Sequence, residues 1–231
     1  MRPVLRGDVP TDEKDDPIVF TDYKQARDPL IDRIGDYCSY CEIAMHTQVD
    51  VEHVLPKDPN PALSLEWTNF LVACGNCNST KGHDEIEFDD HYWADKDNTL
   101  RAFVYELDEP PQIADDPDVD VDTAYRTIKL TGLHRRPGVQ GYSDRDRRWQ
   151  KRIDAWAMAL DVASFLDIED TEEMRKMAIF VAKGIGFWSV WFEVFHDDID
   201  MCKRLINEFP GTAPDCFDNN TNILPRPGGQ I

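Results

Sequence analysis

CSYCEIAMHTQVDVEHVLPKDPNPALSLEWTNFLVACGNCNSTKG, residues 38–82, decides how this chain folds. Near its two ends stand Cys38-Ser-Tyr-Cys41 and Cys74-Gly-Asn-Cys77, a pair of Cys-x-x-Cys knuckles with 32 residues between them. One such knuckle is weak evidence of anything. Two supply four thiolates, the ligand set that tetrahedral zinc favours. Four sulfur ligands leave no open coordination position, so zinc held by Cys38, Cys41, Cys74 and Cys77 would be structural. Between the knuckles, QVDVEHVL (48–55) alternates like a short strand. Pro56, Pro59 and Pro61 then mark a loop. WTNFLVAC reads as a second strand or a buried turn, and NSTKG after Cys77 as the start of a short helix. The expected class is α+β: a zinc-stapled strand–strand–helix core followed by a mainly α-helical C-terminal half.

Four residues in this core carry chemistry. Glu52 and His53 are adjacent at the end of the first strand, where side chains point to opposite sides unless the strand bends. Pro56 makes that bend plausible. Asn69 precedes the second knuckle and Asn78 follows its last cysteine. A carboxylate and an amide oxygen are hard ligands suited to Mg²⁺. A neutral histidine beside them can take a proton from water. Each residue alone has an ordinary structural explanation; the combination and its order are specific.

In that combination the chain resembles the zinc-bound HNH endonuclease family, through CSYCE, VEHVLPK and WTNFLVACGNCNSTKG, about a fifth of the sequence. The resemblance implies a ββα-metal fold around one divalent ion, Mg²⁺ or Mn²⁺. By position, His53 resembles the general base and Glu52 and Asn78 the metal ligands. Asn69 resembles the residue that braces the loop between the strands. Many members carry Asp where this chain has Glu52. Asn78 fills the third motif position, so His83 is read as a surface residue. More weakly, the MRPV start, the Tyr-Cys-x-Tyr-Cys-Glu knuckle and the helical C-terminal half are similar to the HNH subunits (PtuB) of Septu-type and retron-associated anti-phage systems. In those systems an ATPase subunit (PtuA-like) accompanies the nuclease. This chain has no Gly-x-x-x-x-Gly-Lys-[Ser/Thr] loop, so any nucleotide use would come from such a partner.

Around the core, residues 1–35 read as a polar segment and a helix, with Tyr23, Ala26, Leu30, Ile31 and Ile34 at helical spacing over 22–34. Residues 36–83 hold the core. Residues 84–142 form an acidic insertion, with strand potential at RAFVYEL, and a basic connector. Residues 143–231 are helical, with helices expected from Ser143 as N-cap to Leu166, over 171–184 and over 189–209. Trp149, Ile153, Trp156, Leu160 and Ala163 form the apolar stripe expected of the first of these. Phe187, Trp188, Trp191, Phe192 and Phe195 make an aromatic helix that is either core or a docking face. Cys202 and Cys216 read as ordinary buried thiols.

The net charge of −20 argues against a freestanding nucleic-acid binder. The charge is uneven: fifteen acids and two basic residues over 83–122, then nine basic residues and two acids over 123–152. That basic run, with Arg135 and Arg136, either forms a solvated face or lies along DNA, and Lys57 and Lys81 flank the core as phosphate contacts. No apolar run approaches the roughly 20 residues that span a bilayer, and the first residues lack a signal-peptide pattern. A cytoplasmic protein without membrane contact is the expectation. Two other functions fit the sequence: a non-catalytic zinc-ribbon adaptor, and an HNH restriction or mobile-element nuclease.

Overall fold

A computed structural model describes all residues, 1–231. A 3-10 turn at Tyr23–Ala26 opens with a capping box made by Asp22 and Gln25, and leads into α1 (Arg27–Ile34). Leu30 and Ile34, one turn apart, are its buried face. Gly35, at φ 77°, ends the helix in a conformation that only glycine adopts freely. The chain then makes the first knuckle, and β1 (Asp50–His53) follows. It pairs antiparallel with β2 (Phe70–Ala73), Glu52 facing Leu71 and His53 facing Phe70. The proline-marked segment between them contains two 3-10 turns, Pro61–Leu63 and Trp67–Asn69. From β2 the chain passes through Cys74 into α2 (Gly75–Lys81), whose N-cap is the Cys74 thiol accepting from the Cys77 amide. Two strands and a helix are thus contiguous, and both knuckles lie at their edges.

The acidic insertion contains α3 (Thr99–Ala102) and a second small hairpin of β3 (Phe103–Val104), within the RAFVYEL read as a potential strand, with β4 (Gln112–Ile113) beyond it. Next come α4 (Val121–Leu130), α5 (Arg148–Ile168), α6 (Glu172–Ile185), α7 (Trp188–Val194) and α8 (Ile199–Glu208). Asp120, Thr171 and Asp198 cap α4, α6 and α8 with side-chain oxygens. Fifty-one buried apolar residues, drawn from the N-terminal segment to the C-terminal tail, form one cluster. No helix is long and apolar enough to cross a membrane.

Two helical expectations need correction. α5 starts at Arg148, not after Ser143, whose hydroxyl instead accepts from the Arg145 amide in a turn. Its buried face is Arg148, Arg152, Ala155, Trp156, Ala159 and Leu166, while Leu160 is exposed. Hydropathy counted the arginines as solvent-facing, which rotated the inferred stripe. The helix foreseen over 189–209 is two helices. It breaks after Val194, where Asp198 begins α8 by accepting from the Met201 amide. The five aromatic residues, Phe187 to Phe195, are all buried, so that helix is core and not a docking face. Cys202 and Cys216 are buried and unpaired, as expected.

Candidate metal centre and cleft

The four knuckle sulfurs lie within 4.8 Å of one another, and Cys41 Sγ is 3.7 Å from Cys74 Sγ. Zinc–sulfur bonds of about 2.3 Å set at tetrahedral angles put sulfurs about 3.8 Å apart, so the donor set fits the ion. Local structure explains the approach. Glu42, at φ 66°, turns the chain tightly after Cys41, and its amide returns to the Cys38 carbonyl at 2.9 Å. The Ser39 amide donates to the Val72 carbonyl at 2.9 Å, fastening this knuckle to β2, which delivers Cys74. The turn between α6 and α7 closes over the outside: the Phe187 amide donates to the Glu42 carbonyl at 2.7 Å. A side chain at Gly186 would collide with that carbonyl. Four cysteines this close can hold a zinc ion, and all six cysteines of the chain are free of disulfides.

A cleft of about 120 Å³ opens at the junction of β1 and α2. Glu52, His53 and Asn78 all line it, together with Tyr23, Lys57, Lys81 and His83. Because β1 ends at His53, the two adjacent side chains reach one cleft despite the strand's alternation. A larger groove of about 820 Å³ runs beside residues 7–9, 18–20 and 61–68, but Asp8 and Glu66 are its only ionisable lining residues. Chemistry, not volume, selects the smaller space.

The His53 ring is buried between Tyr23 and Phe70, with centroids at 5.0 and 5.3 Å. Its Nε2 lies 3.0 Å from the Ser64 carbonyl. A carbonyl can only accept, so Nε2 carries the hydrogen and the neutral ring keeps its lone pair on Nδ1. Burial holds the imidazole pKa below its ordinary 6.5, against the opposing effect of the Ser64 bond, and Lys57 lowers it further. The ring is therefore neutral near pH 7.

Glu52 is buried, and its Oε1 accepts from Lys81 Nζ at 2.9 Å and from the Tyr40 hydroxyl at 3.4 Å. Desolvation raises the Glu52 pKa, and Lys81 and Tyr40 pull it back. Lys81 also donates to the His53 carbonyl at 2.8 Å. This lysine, read from the sequence as a phosphate contact flanking the core, is turned inward as the buried partner of Glu52. Asn78 Nδ2 donates to Asp50 Oδ2 at 3.0 Å. These bonds leave Glu52 Oε2 and Asn78 Oδ1 without partners in the chain, and both residues line the cleft. Two such oxygens suit a hard divalent ion that completes its shell with water and phosphate.

Asn69 lies outside the cleft and behind it. Its Oδ1 accepts from the Leu55 amide at 2.8 Å, and its Nδ2 donates to the carbonyls of Leu55 and Leu63 at 2.9 and 3.2 Å. It thereby closes the loop that presents the Ser64 carbonyl to His53. Lys57 sits over the Tyr23 ring at 4.6 Å, a cation–π arrangement at the cleft wall. His83 is exposed, as read from the sequence, yet it forms part of that wall.

Much of the basic connector is engaged within the chain. Arg126 pairs with Asp90, Arg136 with Glu109, Arg148 with Asp146 and Lys151 with Asp154. Arg152 is buried. Arg135 donates to Thr80 Oγ1 at 3.3 Å, which brings the connector alongside α2. Lys129, Arg145 and Arg147 are the exposed cations left without a salt bridge. The acidic insertion therefore neutralises part of the stripe that the sequence suggested for DNA.

Sequence reasoning missed Tyr40, Asp50 and Arg148 as parts of the site, and took Tyr23 only as an apolar helix position. The alternation of Asp50 with Glu52 on one strand face was the available signal for Asp50. Nothing local marked Tyr40 or Arg148.

No known family model matches this chain. Over 59 residues it is 41% identical to the Septu protein PtuB of Bacillus thuringiensis. The match takes in 24% of this chain and 23% of that protein, so the chain spans about a quarter of the curated relative's length.

Proposed function

We propose that this chain is a metal-dependent HNH-type DNA endonuclease, the nuclease effector of an ATPase-partnered anti-phage complex. The observation that carries the chemical part is His53: neutral, aligned by the Ser64 carbonyl through Nε2, and sharing one cleft with Glu52 and Asn78. The stretch of similarity to a Septu protein supports the defence setting and the expectation of a PtuA-like partner. On this reading residues 36–83 are the nuclease core and residues 143–231 engage the ATPase.

His53 Nδ1 takes a proton from a water molecule, whose oxygen attacks the phosphorus in line with the leaving group. The bond to the 3′ oxygen breaks, and that oxygen acquires a proton from solvent, leaving 5′-phosphate and 3′-hydroxyl ends. Glu52 and Asn78 would hold Mg²⁺ or Mn²⁺, which supplies electrostatic stabilisation of the charge developing on the phosphate oxygens. Lys57, at the cleft wall, adds positive charge beside the phosphate. Asn69 and the Lys81–Glu52 pair keep the loop and the carboxylate in position. The four cysteines, with zinc, hold β2 and α2 to the first knuckle.

The buried Lys81–Glu52 pair favours one competing reading, a non-catalytic zinc-ribbon adaptor in which Glu52 has only a structural role. Nicking of supercoiled plasmid with Mg²⁺ or Mn²⁺, by the chain alone and with its ATPase, separates the two. The nuclease reading expects nicking that EDTA stops and that His53→Ala lowers at least a hundredfold at unchanged zinc content. Full nicking by His53→Ala overturns it, and so does wild-type protein that never nicks under either condition.

A further inference from the structure

Arg148 is the first residue of α5, yet its side chain is 5% exposed and turned into the protein. Its Nη1 donates to Cys77 Sγ at 3.0 Å and to the Thr131 carbonyl at 2.7 Å. The other edge of the guanidinium is taken by Asp146, which accepts from Nε at 2.9 Å and from Nη2 at 2.6 Å. Asn76, inside the second knuckle, donates through Nδ2 to the same Asp146 Oδ1 at 3.4 Å. Three separate pieces of chain meet on one planar group: the knuckle at 74–77, the C-terminal end of α4 and the N-terminal end of α5.

The charge balance gives this arrangement a purpose. Four thiolates around a dication leave a net charge of −2, and Cys38, Cys41 and Cys77 are fully buried around it. A buried charge is costly unless a partner of opposite sign is close and correctly oriented. Arg148 is a cation with a hydrogen directly on one of the sulfurs. A guanidinium holds its donors in a fixed fork, so the bidentate grip of Asp146 sets the plane and leaves Nη1 aimed at Cys77. Lysine has no such fork. The Thr131 carbonyl adds the negative end of a helix to the same nitrogen.

We propose that Arg148 is the oriented counter-ion of the four-cysteine centre, with Asp146 as its aligning residue, so that retention of the metal is coupled to docking of α5. Arg148 acts through Cys77 and is a positioning residue. The proposal rests on the four cysteines holding metal, and the wild-type arm of the test reads that premise separately.

The experiment uses the full chain loaded with Zn²⁺ or with Co²⁺. Metal content is measured by mass spectrometry, and metal loss to excess 4-(2-pyridylazo)resorcinol is followed in time. For Arg148→Met, loss 10- to 100-fold faster than wild type is expected, the usual effect of removing an outer partner of a metal ligand. Arg148→Lys keeps the charge without the fork and falls between the two. Asp146→Asn, which leaves the arginine in place but loosens its aim, speeds loss several-fold and stands as the test should Arg148→Met fail to fold. A merely structural role would not move the cobalt spectrum. Loss of the hydrogen on sulfur raises the thiolate lone-pair energy, so the thiolate-to-cobalt absorption of Arg148→Met moves to longer wavelength. Wild-type rates and an unchanged absorption in both Arg148→Met and Asp146→Asn overturn the proposal. A wild-type chain that takes up no metal at one ion per chain overturns its premise, and the nicking of plasmid by His53-intact protein is scored independently of both.

Discussion

Replacing Asn69 with alanine removes three side-chain hydrogen bonds that tie the two sides of the loop between β1 and β2 together. The Leu55 amide and carbonyl lose partners at 2.8 and 2.9 Å, and the Leu63 carbonyl loses one at 3.2 Å. Asn69 is buried, while Leu55 and Leu63 are half-buried, so water replaces only part of what is lost. Each neutral bond contributes about 1 kcal/mol net, and three with partial rescue by water give about 2–3 kcal/mol. For a chain of this size a urea slope of about 2–3 kcal/mol/M turns that into a midpoint about 1 M lower. Equilibrium unfolding followed by tryptophan fluorescence and by far-UV circular dichroism reads the shift. Asn60→Ala is the control: it deletes a single bond, from Nδ2 to the Pro56 carbonyl at 3.0 Å, in the same loop. It should cost about 1 kcal/mol or less. A shift for Asn69→Ala no larger than that of Asn60→Ala would refute the bracing argument. Because the loop carries the Ser64 carbonyl, Asn69→Ala should also lower nicking under conditions where the variant is still folded.

Two further outcomes follow from buried groups. Lys81→Met strands the Glu52 carboxylate without its cation and should cost about 3–5 kcal/mol, whereas Glu52→Gln/Lys81→Met removes both charges and regains most of it. A double variant no more stable in urea than Lys81→Met alone would show that the pair is not the source of the loss. The other outcome concerns pH. Since burial lowers the His53 pKa, the acid limb of nicking should lie below the 6.5 of a free histidine. Lys57→Gln removes a charge that lowers it and should move the limb upward. The stability contributed by neutral His53 is full above pH 6.5 and is lost as pH falls through the lower folded-state value. An acid limb at or above pH 6.5 contradicts this placement of the ring.

The legible parts of this protein are those written in short spacings. Two knuckles, a Glu-His pair and an asparagine after the last cysteine placed the hairpin, α2 and the cleft. The helix at 22–34 and a strand within RAFVYEL were legible in the same way, from periodicity and residue type, whereas the pairing of that strand with β4 was not. Reading failed where a buried residue is polar. Arg148 lies on the packed face of α5 because Asp146, Cys77 and the Thr131 carbonyl accept from it, Arg152 lies there over the Phe187 ring at 5.8 Å, and Lys81 is buried at the cleft because Glu52 accepts from it. Hydropathy assigns such residues to solvent, which rotates the stripe inferred for α5 and turns Lys81 outward; the early start of α5 comes from reading Ser143 as its N-cap.

By itself the sequence determined the staple, the order of the chemical groups and the helical character of the second half, since each depends on residues a few positions apart. Only the tertiary structure decided the state of those groups. His53 acquires its tautomer from a carbonyl 11 residues away, Asn78 turns its amide hydrogens to Asp50 28 residues away, and Cys77 meets Arg148 across 71 residues. Contacts at that range are made when the core closes, and they leave no periodicity behind. The same closure pairs Arg126 and Arg136 with acids of the insertion and Arg148 and Lys151 with Asp146 and Asp154, which leaves the chain with fewer free cations than its sequence displays.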